Sequence, residues 1–382
     1  MKNGWTGGQY SVFRVSLGLY VGFLFIRLIP LLLQETAANW DNDAWPRALE
    51  DAGPLSIFAL WPHPYFAMFV LNVGVVLAAF FAVGFLDRIS AIGCGYIIAC
   101  VVFMVPLYGP LHLALALPLC LHWFIPPAPY GSWRARGRAD PAGGWRMPPL
   151  MFLIGRGLVL FMFLGFAILI LAHEGEPVGV WGGAHVFWVV LYGVLPLLLA
   201  IKRLRLLVWL TLMAGHVPEI WIFESFEGAV FVLTLMLFNP DWVRPKIGSG
   251  KATMFYDGEC ALCHGGVRFI LAEDRFDSIL FVPLQSEIFR ERVTATERER
   301  MGDTIVFETE TGELLSRSTA IVYMLGRLGG LWRIAGVLLR LIPRPLRELA
   351  YDLVARTRYR VFGRKKEHCP IIPPELRSRF EL

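Results

Sequence analysis

The chain has 382 residues, of which 56% are hydrophobic and only 18% are charged, and its mean hydropathy is +0.54. Soluble domains carry about 25% charged residues, so this composition indicates a membrane protein and excludes a purely soluble one. The net charge of +5 is modest and the Lys and Arg residues are dispersed, so we expect no nucleic-acid partner. Six cysteines in a chain of this length do not make a disulfide framework.

Long apolar segments occupy much of the chain as far as residue 238. A helix needs roughly 20 apolar residues to cross a bilayer, and eight segments approach that length. They lie at about residues 12–33, 65–86, 89–108, 111–125, 150–172, 185–201, 206–223 and 227–238. We predict an all-α polytopic membrane domain over residues 1–247, in which the short, proline-rich fourth segment is either a span or a re-entrant element.

The loops between these segments alternate in charge. Those at 34–64 and 173–184 are acidic, whereas those at 126–149 and 202–205 and the stretch 244–251 are rich in Lys and Arg. Basic loops are retained on the cytoplasmic side of a membrane. We therefore expect a multi-pass protein of the cell membrane with both termini in the cytoplasm.

Ionisable residues within the seventh segment are candidates for a membrane site. His216, Glu219 and Glu224 lie near its predicted outer end. Ionisable groups at membrane depth are costly, so such residues are candidates for a function. The alternative is that all three are hydrated at the interface. His112 and His122 bracket the fourth segment, where haem ligation and an interfacial position both fit.

A Cys-x-x-Cys motif follows the last apolar segment. Residues 252–256 predict a buried strand that ends at Tyr256, and an amphipathic helix is expected from Ala261. Cys260 and Cys263 therefore lie where a strand becomes a helix, and the unpaired N–H groups of a helix N-terminus favour thiolate over thiol. We expect the first sulfur to face solvent and attack a disulfide, and the second to resolve the mixed disulfide.

Two other interpretations of this motif remain. A zinc site would need two further ligands, which Cys369 together with His264 or His368 would supply. The run from Cys260 to His264 also satisfies the Cys-x-x-Cys-His pattern of c-type haem attachment. We expect a redox-active dithiol without a metal or haem cofactor.

The residues from 251 to 382 predict an α/β domain. Strands are expected up to Tyr256 and at 279–283, 304–308 and 314–316, and helices at 261–274, 286–300 and 318–328, the last of them capped by Ser318. This strand–helix–strand unit, followed by a hairpin and a helix, has the element order of a thioredoxin-like domain, here with extra C-terminal helices.

Particular residues between 251 and 382 form a pattern that resembles a known family. They are Asp257, Cys260, Cys263, Phe269, Pro283-Leu284-Gln285-Ser286, Asp303-Thr304-Ile305-Val306, Ser318-Thr319-Ala320, Arg358-Tyr359 and Cys369-Pro370. The pattern resembles the DCC family of thiol-disulfide oxidoreductases over residues 252–370, and the resemblance implies a thioredoxin-like fold and thiol-disulfide exchange. Thioredoxins place a cis-proline before the third strand, where this chain has Met301-Gly302-Asp303.

The membrane half is more loosely similar to the horizontally transferred transmembrane domain that is related to the vitamin K-dependent carboxylase. The similarity rests on Phe13-Arg14-Val15, Asn39-Trp40-Asp41 and the alternation of spans. No catalytic residue is transferred from it.

Three features near the dithiol each have two interpretations. Asp257 either accepts N–H bonds from the turn that aims Cys260 or moves protons to and from Cys263. Cys369 is either a third redox thiol or a packed residue. The basic helical tail at 331–362 either lies against anionic lipid headgroups or is a solvated face.

The sequence therefore predicts a membrane-anchored thiol-disulfide oxidoreductase, in which Cys260 is the nucleophile and Cys263 the resolving thiol. Its partners would be the lipid bilayer and a protein or small-molecule thiol or disulfide, and nothing in the sequence specifies an oligomeric state. In the alternative function, the membrane domain binds or modifies a lipophilic molecule and the soluble domain acts as a redox sensor.

Overall fold

The structure is a computed structural model of the whole chain. It describes residues 4–39, 55–61, 63–104, 109–172, 187, 189–222, 226–301, 304–363 and 374–381. Contacts divide the chain into two compact units. One comprises Tyr10–Arg134 and Met147–Phe238, and the other joins Asn239–Leu382 with Ala135–Arg146 and the N-terminal residues through Gln9.

All regular secondary structure in the described part of the first unit is helical. Its helices are α1 (Gly7–Asn39), α2 (Pro64–Val83), α3 (Asp87–Met104), α4 (Gly109–Leu121), α5 (Pro149–Ala172), α6 (Leu195–Leu198), α7 (Arg205–Ile222) and α8 (Phe226–Leu235). A π-helical turn at Val190–Val194 precedes α6. Segments with apolar residues on every face are expected to form helices in a bilayer, because a helix provides hydrogen-bond partners for its own backbone N–H and C=O groups.

Three helical segments in the described ranges are long and apolar enough to cross a membrane. They are Gly7–Pro30, Pro64–Val83 and Pro149–Ile168. Leu113–Phe124 and Arg205–Val217 are shorter apolar helices. The sequence offered eight candidate segments, of which the described residues show these three at full span length, and the number of spans stays a prediction.

The second unit contains a four-stranded mixed sheet in the order β2-β1-β3-β4. The strands are β1 (Ala252–Tyr256), β2 (Ile279–Pro283), β3 (Val306–Glu308) and β4 (Leu314–Ser316). β1 and β2 are parallel, and β3 is antiparallel to both β1 and β4. All five residues of β1 are buried, since a central strand covered on both faces has no polar side to show.

Six helices accompany the sheet: α9 (Ala261–Glu273), α10 (Glu287–Arg292), α11 (Ala295–Met301), α12 (Arg317–Leu328), α13 (Gly330–Leu341) and α14 (Arg344–Phe362). The predicted helix at 286–300 is therefore two short helices. The predicted cap of α12 is wrong, because Ser318 lies inside that helix, where its hydroxyl donates to Oε1 of Glu348 at 2.6 Å.

A buried carboxyl group holds the N-terminal residues to this unit. Glu273 has no exposed surface and accepts hydrogen bonds from the hydroxyl of Thr6, from N of Gly8 at 2.7 Å and from Nε1 of Trp332 at 2.5 Å. Burial raises the pKa of Glu273 to about 7, and these three donors oppose the rise. No role for Glu273 could be predicted from the sequence, because its partners lie far away along the chain.

Candidate active site

The dithiol lies at the junction between β1 and α9, as the sequence predicted. Cys260 is the N-cap of α9, and its Sγ accepts a hydrogen bond from N of Cys263 at 3.4 Å. A residue at this position has extended backbone angles, and its side chain turns back over the first turn of the helix. The sulfur of Cys260 therefore faces the unpaired N–H groups of the helix N-terminus.

Both thiols are buried. Cys260 has no exposed surface and Cys263 is 4% exposed, and both belong to the hydrophobic core around β1. The expectation that the first sulfur faces solvent is therefore wrong for this structure. The C-terminal end of α14 lies close by, because the carbonyl of Gly363 accepts from N of Ala261 at 3.4 Å. A substrate disulfide can reach Cys260 only after some of this cover moves.

Asp257 is held by four donors. Oδ1 accepts from N of Glu259 at 2.9 Å and from Nε2 of Gln285 at 3.0 Å. Oδ2 accepts from the hydroxyl of Tyr359 at 2.5 Å and from Nη2 of Arg358 at 3.4 Å. These contacts occupy both carboxylate oxygens and join the dithiol loop to α14.

The same contacts decide the charge of Asp257. Burial opposes its ionisation and is the largest single effect, but the hydrogen bonds from Tyr359, Glu259 and Gln285 and the charge of Arg358 together lower the pKa of Asp257 below its usual value. A carboxylate that stays ionised and fully hydrogen bonded is a poor proton carrier at neutral pH. The geometry favours the positioning role of Asp257 over the proton-transfer role.

The resolving thiol is in an environment that disfavours its thiolate. Burial raises the pKa of Cys263 strongly, and the neighbouring Cys260 and Asp257 raise it further, whereas Arg358 opposes them. Cys263 therefore remains protonated at neutral pH while the loop is closed. Any event that hydrates the loop would lower this barrier to resolution.

His264 follows the dithiol and is almost fully buried. Its Nε2 lies 2.7 Å from the carbonyl of Gly258, and its ring meets the edge of Tyr256. The neutral tautomer with hydrogen on Nε2 satisfies this contact. The side chain therefore ties the dithiol loop to α9.

Asp257, Cys260 and Cys263 form a three-residue group whose ligand atoms all lie within 4.8 Å of one another. Two thiolates and a carboxylate suit zinc by chemistry. To bind a metal, however, Asp257 would have to release donors such as Tyr359 and Arg358, and His264 already contacts the carbonyl of Gly258. The other proposed ligands, His368 and Cys369, lie outside the described residues. The structure therefore does not test the suggestion that Cys369 is a third redox thiol.

The sequence model of the DCC1-like thiol-disulfide oxidoreductase family matches residues 254–364. The chain is also 36% identical over 131 residues to the Bacillus subtilis (strain 168) protein YuxK, and the match covers 33% of this chain and 91% of YuxK. The chain belongs to the DCC1-like thiol-disulfide oxidoreductase family. A chloroplastic DCC family protein of Arabidopsis thaliana is 30% identical over 135 residues, which are 34% of this chain and 78% of that relative. No solved structure gives a significant match.

The DCC1-like match contains the whole site described above. It spans the dithiol and Asp257 at one end, and Arg358 and Tyr359 at the other. The contacts of Gln285, Arg358 and Tyr359 with Asp257 were not predicted from the sequence. These residues were named there only because they match the DCC family pattern. Their separation along the chain explains this, because Tyr359 lies 102 residues after Asp257.

The predicted membrane site is described only in part. His216 is completely buried, with its ring stacked on Tyr192 at 5.7 Å and tilted towards Phe163 at 6.3 Å. His216 is therefore not hydrated in this structure, and its role in a membrane site stays a prediction. The side chain of Glu219 and the whole of Glu224 lie outside the described residues.

The helical unit also contains a buried cluster of polar residues that was not predicted from the sequence. The hydroxyl of Tyr10 lies 2.5 Å from Nδ1 of His122, and Nε2 of His122 lies 3.2 Å from Oδ2 of Asp87. All three residues are 1% exposed. Both ring nitrogens of His122 are engaged by these two partners, whereas the sequence had left haem ligation and an interfacial position open for it.

Proposed function

We propose that this protein is a membrane-anchored thiol-disulfide oxidoreductase that uses Cys260 as nucleophile and Cys263 as resolving thiol. The observation that carries the proposal is the pair of thiols at the N-terminus of α9, with Sγ of Cys260 directed at N of Cys263. Membership of the DCC1-like family supports a thiol-disulfide role for this pair.

The proposed reaction has two exchange steps. The Cys260 thiolate attacks one sulfur of a substrate disulfide, forms a mixed disulfide and releases the other substrate sulfur as a thiolate, which takes a proton from solvent. Cys263 then loses its proton and attacks Sγ of Cys260. This step releases the second substrate thiol and leaves an intramolecular disulfide. The substrate gains two electrons, the dithiol loses two, and an external thiol must reduce it again.

The sheet order supports a thioredoxin-like assignment for this domain. A parallel β1–β2 pair connected by a helix, with an antiparallel hairpin on the other side of β1, is the arrangement expected from the predicted element order. The dithiol helix α9 is the crossover between the two parallel strands. This placement puts the thiols at the carboxyl end of a central strand, where α/β proteins commonly place reactive groups.

Counting thiols tests the proposed function directly. Full-length protein purified in detergent should lose two of its six thiols on treatment with glutathione disulfide and regain both with dithiothreitol. The Cys260→Ser variant should lose no thiols through an intramolecular disulfide. A control variant with Cys94→Ser and Cys100→Ser should still lose two thiols. A wild-type protein that loses no thiols, or a control variant that loses none, would contradict the assignment.

The proposed setting is a cell membrane with both termini on the cytoplasmic side. The three span-length helices support a membrane setting, and the positive charge at Arg244, Lys246 and Lys251 supports the orientation. A reporter fused after Gly250 should be active only if it is a cytoplasmic enzyme. Activity of a periplasm-dependent reporter there would reverse the orientation and favour haem attachment, which a covalent haem absorbance would then reveal.

A second candidate function rests on the buried group of Tyr10, His122 and Asp87. A tyrosine–histidine–carboxylate chain inside a helical unit is suited to moving a proton at a bound lipophilic molecule. In that case the dithiol would regulate the helical unit as a redox sensor. Cys260→Ser would then preserve the cellular function and remove only its response to oxidants.

A further inference from the structure

The last two helices of the domain have an unusual distribution of side chains. In a helix of a soluble domain, the apolar stripe faces the core and the polar residues face water. α14 shows the reverse. Many of its polar side chains contact the domain, and its outer face carries leucine and valine, with Arg356 and Arg360 exposed among them.

The inward face of α14 is attached by polar contacts to the rest of the domain. The hydroxyl of Tyr351 lies 2.6 Å from Oγ1 of Thr304, and Glu348 accepts from Ser318. Further along the helix, Asp352 pairs with Arg317 at 3.3 Å, and Arg358 and Tyr359 bind Asp257. These contacts fix the rotation of α14 about its own axis.

The outward face of α14 is consequently rich in exposed leucine and valine. Leu346 is 57% exposed, Leu349 69%, Leu353 65% and Val361 66%, and these residues recur at helical spacing along one side. The preceding helix and the residue after it also expose apolar side chains, with exposed fractions of 54% at Val337, 59% at Leu338, 75% at Leu341 and 43% at Ile342. An exposed apolar surface of this length marks an interaction site. We call it the α13–α14 face.

Positive charge borders the α13–α14 face. An open groove of about 600 Å³ beside α13 is lined by five cations, namely Lys246, Arg333, Arg340, Arg344 and Arg347. Glu313 is the one acidic residue among the described residues that line it. The Arg344 side chain is 76% exposed. Apolar residues flanked by arginine are the combination found in helices that lie in the headgroup region of anionic membranes.

We propose that the α13–α14 face docks on the surface of a lipid bilayer, with its leucines among the acyl chains and its arginines at the phosphates of anionic lipids. The charge complementarity selects a bilayer over a protein partner, because arginine on the rim and aliphatic residues in the centre match the two layers of a membrane leaflet. The inference goes beyond dithiol chemistry and does not depend on it.

The experiment uses the full-length protein in nanodiscs. An environment-sensitive fluorescent amino acid replaces Leu349 or, in a second variant, Leu353, and quenchers are attached to the lipid acyl chains. A control places the same reporter at Glu291, which is exposed on α10. In discs that contain phosphatidylglycerol, we expect several-fold stronger quenching at both leucine positions than at Glu291. Discs of phosphatidylcholine alone should give weaker quenching at the leucine positions.

Charge variants complete the test. Arg340→Gln with Arg347→Gln should lower the docking equilibrium in anionic discs by roughly fivefold per arginine removed. The matched control, Arg290→Gln with Arg300→Gln, should leave it unchanged. Quenching at the leucine positions no stronger than at Glu291 would overturn the proposal, as would equal quenching in neutral and anionic discs. Circular dichroism on every variant checks that the protein is folded, and thiol counting is scored separately, so failure of docking is distinguishable from failure of the proposed function.

Discussion

Cys263→Ser should hold substrates on the protein as stable mixed disulfides, whereas Cys260→Ser should abolish exchange and trap nothing. The reason is chemical: the bond to the substrate forms at Cys260, and Cys263 is the thiol that breaks it. Cells that express each variant are quenched with acid and alkylated, and higher-mass species that disappear with reductant are counted. The double variant should behave as Cys260→Ser does.

Matched controls separate this chemistry from a general effect of losing a thiol. Cys94 and Cys100 are also buried, but they belong to the helical unit. Replacing either with serine should neither trap substrates nor reduce exchange. If Cys263→Ser traps nothing while the full-length protein is folded, the exchange mechanism is wrong. Zinc bound to Asp257, Cys260 and Cys263 would then be the next hypothesis to measure.

Asp257→Asn is the second substitution for which we expect a large effect. Asp257 and Arg358 are both about 6% exposed in their side chains, and the substitution leaves the Arg358 charge buried without its carboxylate partner. Breaking a buried ion pair from one side costs roughly 3–5 kcal/mol. We expect the dithiol loop and the end of α14 to open, which should appear as faster amide hydrogen exchange there and as a lower unfolding temperature.

Two further variants identify the role of Asp257. Tyr359→Phe removes one donor and keeps the charge pair, so it should cost only about 1 kcal/mol. Glu291→Gln, at an exposed position, should have no measurable effect. If Asp257→Asn instead leaves hydrogen exchange unchanged and slows only the resolution of the mixed disulfide, the proton-transfer role is correct and the positioning role is wrong.

The same carboxylate predicts a dependence of stability on pH. The pKa of Asp257 is lower in the folded protein than in the unfolded chain, so folding favours the ionised carboxylate. Its stabilising contribution is present above the unfolded pKa of about 4 and is lost as pH falls through the lower folded value. Asp257→Asn should remove this part of the acid sensitivity.

Much of the local structure around the dithiol could be predicted from the sequence. The end of β1 at Tyr256, the start of α9 at Ala261, and the strand at Ile279–Pro283 all agree with the prediction. Each depends on a short pattern of apolar residues or on a turn between two elements. Such patterns extend over a few residues and determine the local backbone conformation without help from distant contacts.

Contacts over long separations account for the failures. The sequence placed Cys260 in solvent because the first sulfur of a redox Cys-x-x-Cys is expected to face it, but tertiary packing buries Cys260 in the core around β1. The sequence likewise assigned Ser318 to a cap, whereas its hydroxyl bonds to Glu348, 30 residues later. A hydroxyl takes the partner that burial offers, and burial depends on which elements pack together.

The sequence by itself determined the class of the protein, the apolar helices and the position of the two thiols at a strand–helix junction. Only the tertiary structure decided how the basic tail at 331–362 is oriented. The two interpretations of that tail share one amphipathic pattern, and the pattern does not say which face is inside. Glu348, Tyr351, Asp352 and Tyr359 turn the polar side of α14 inward, because buried polar groups must find hydrogen-bond partners and the domain supplies them. The leucines are left on the outside as a consequence.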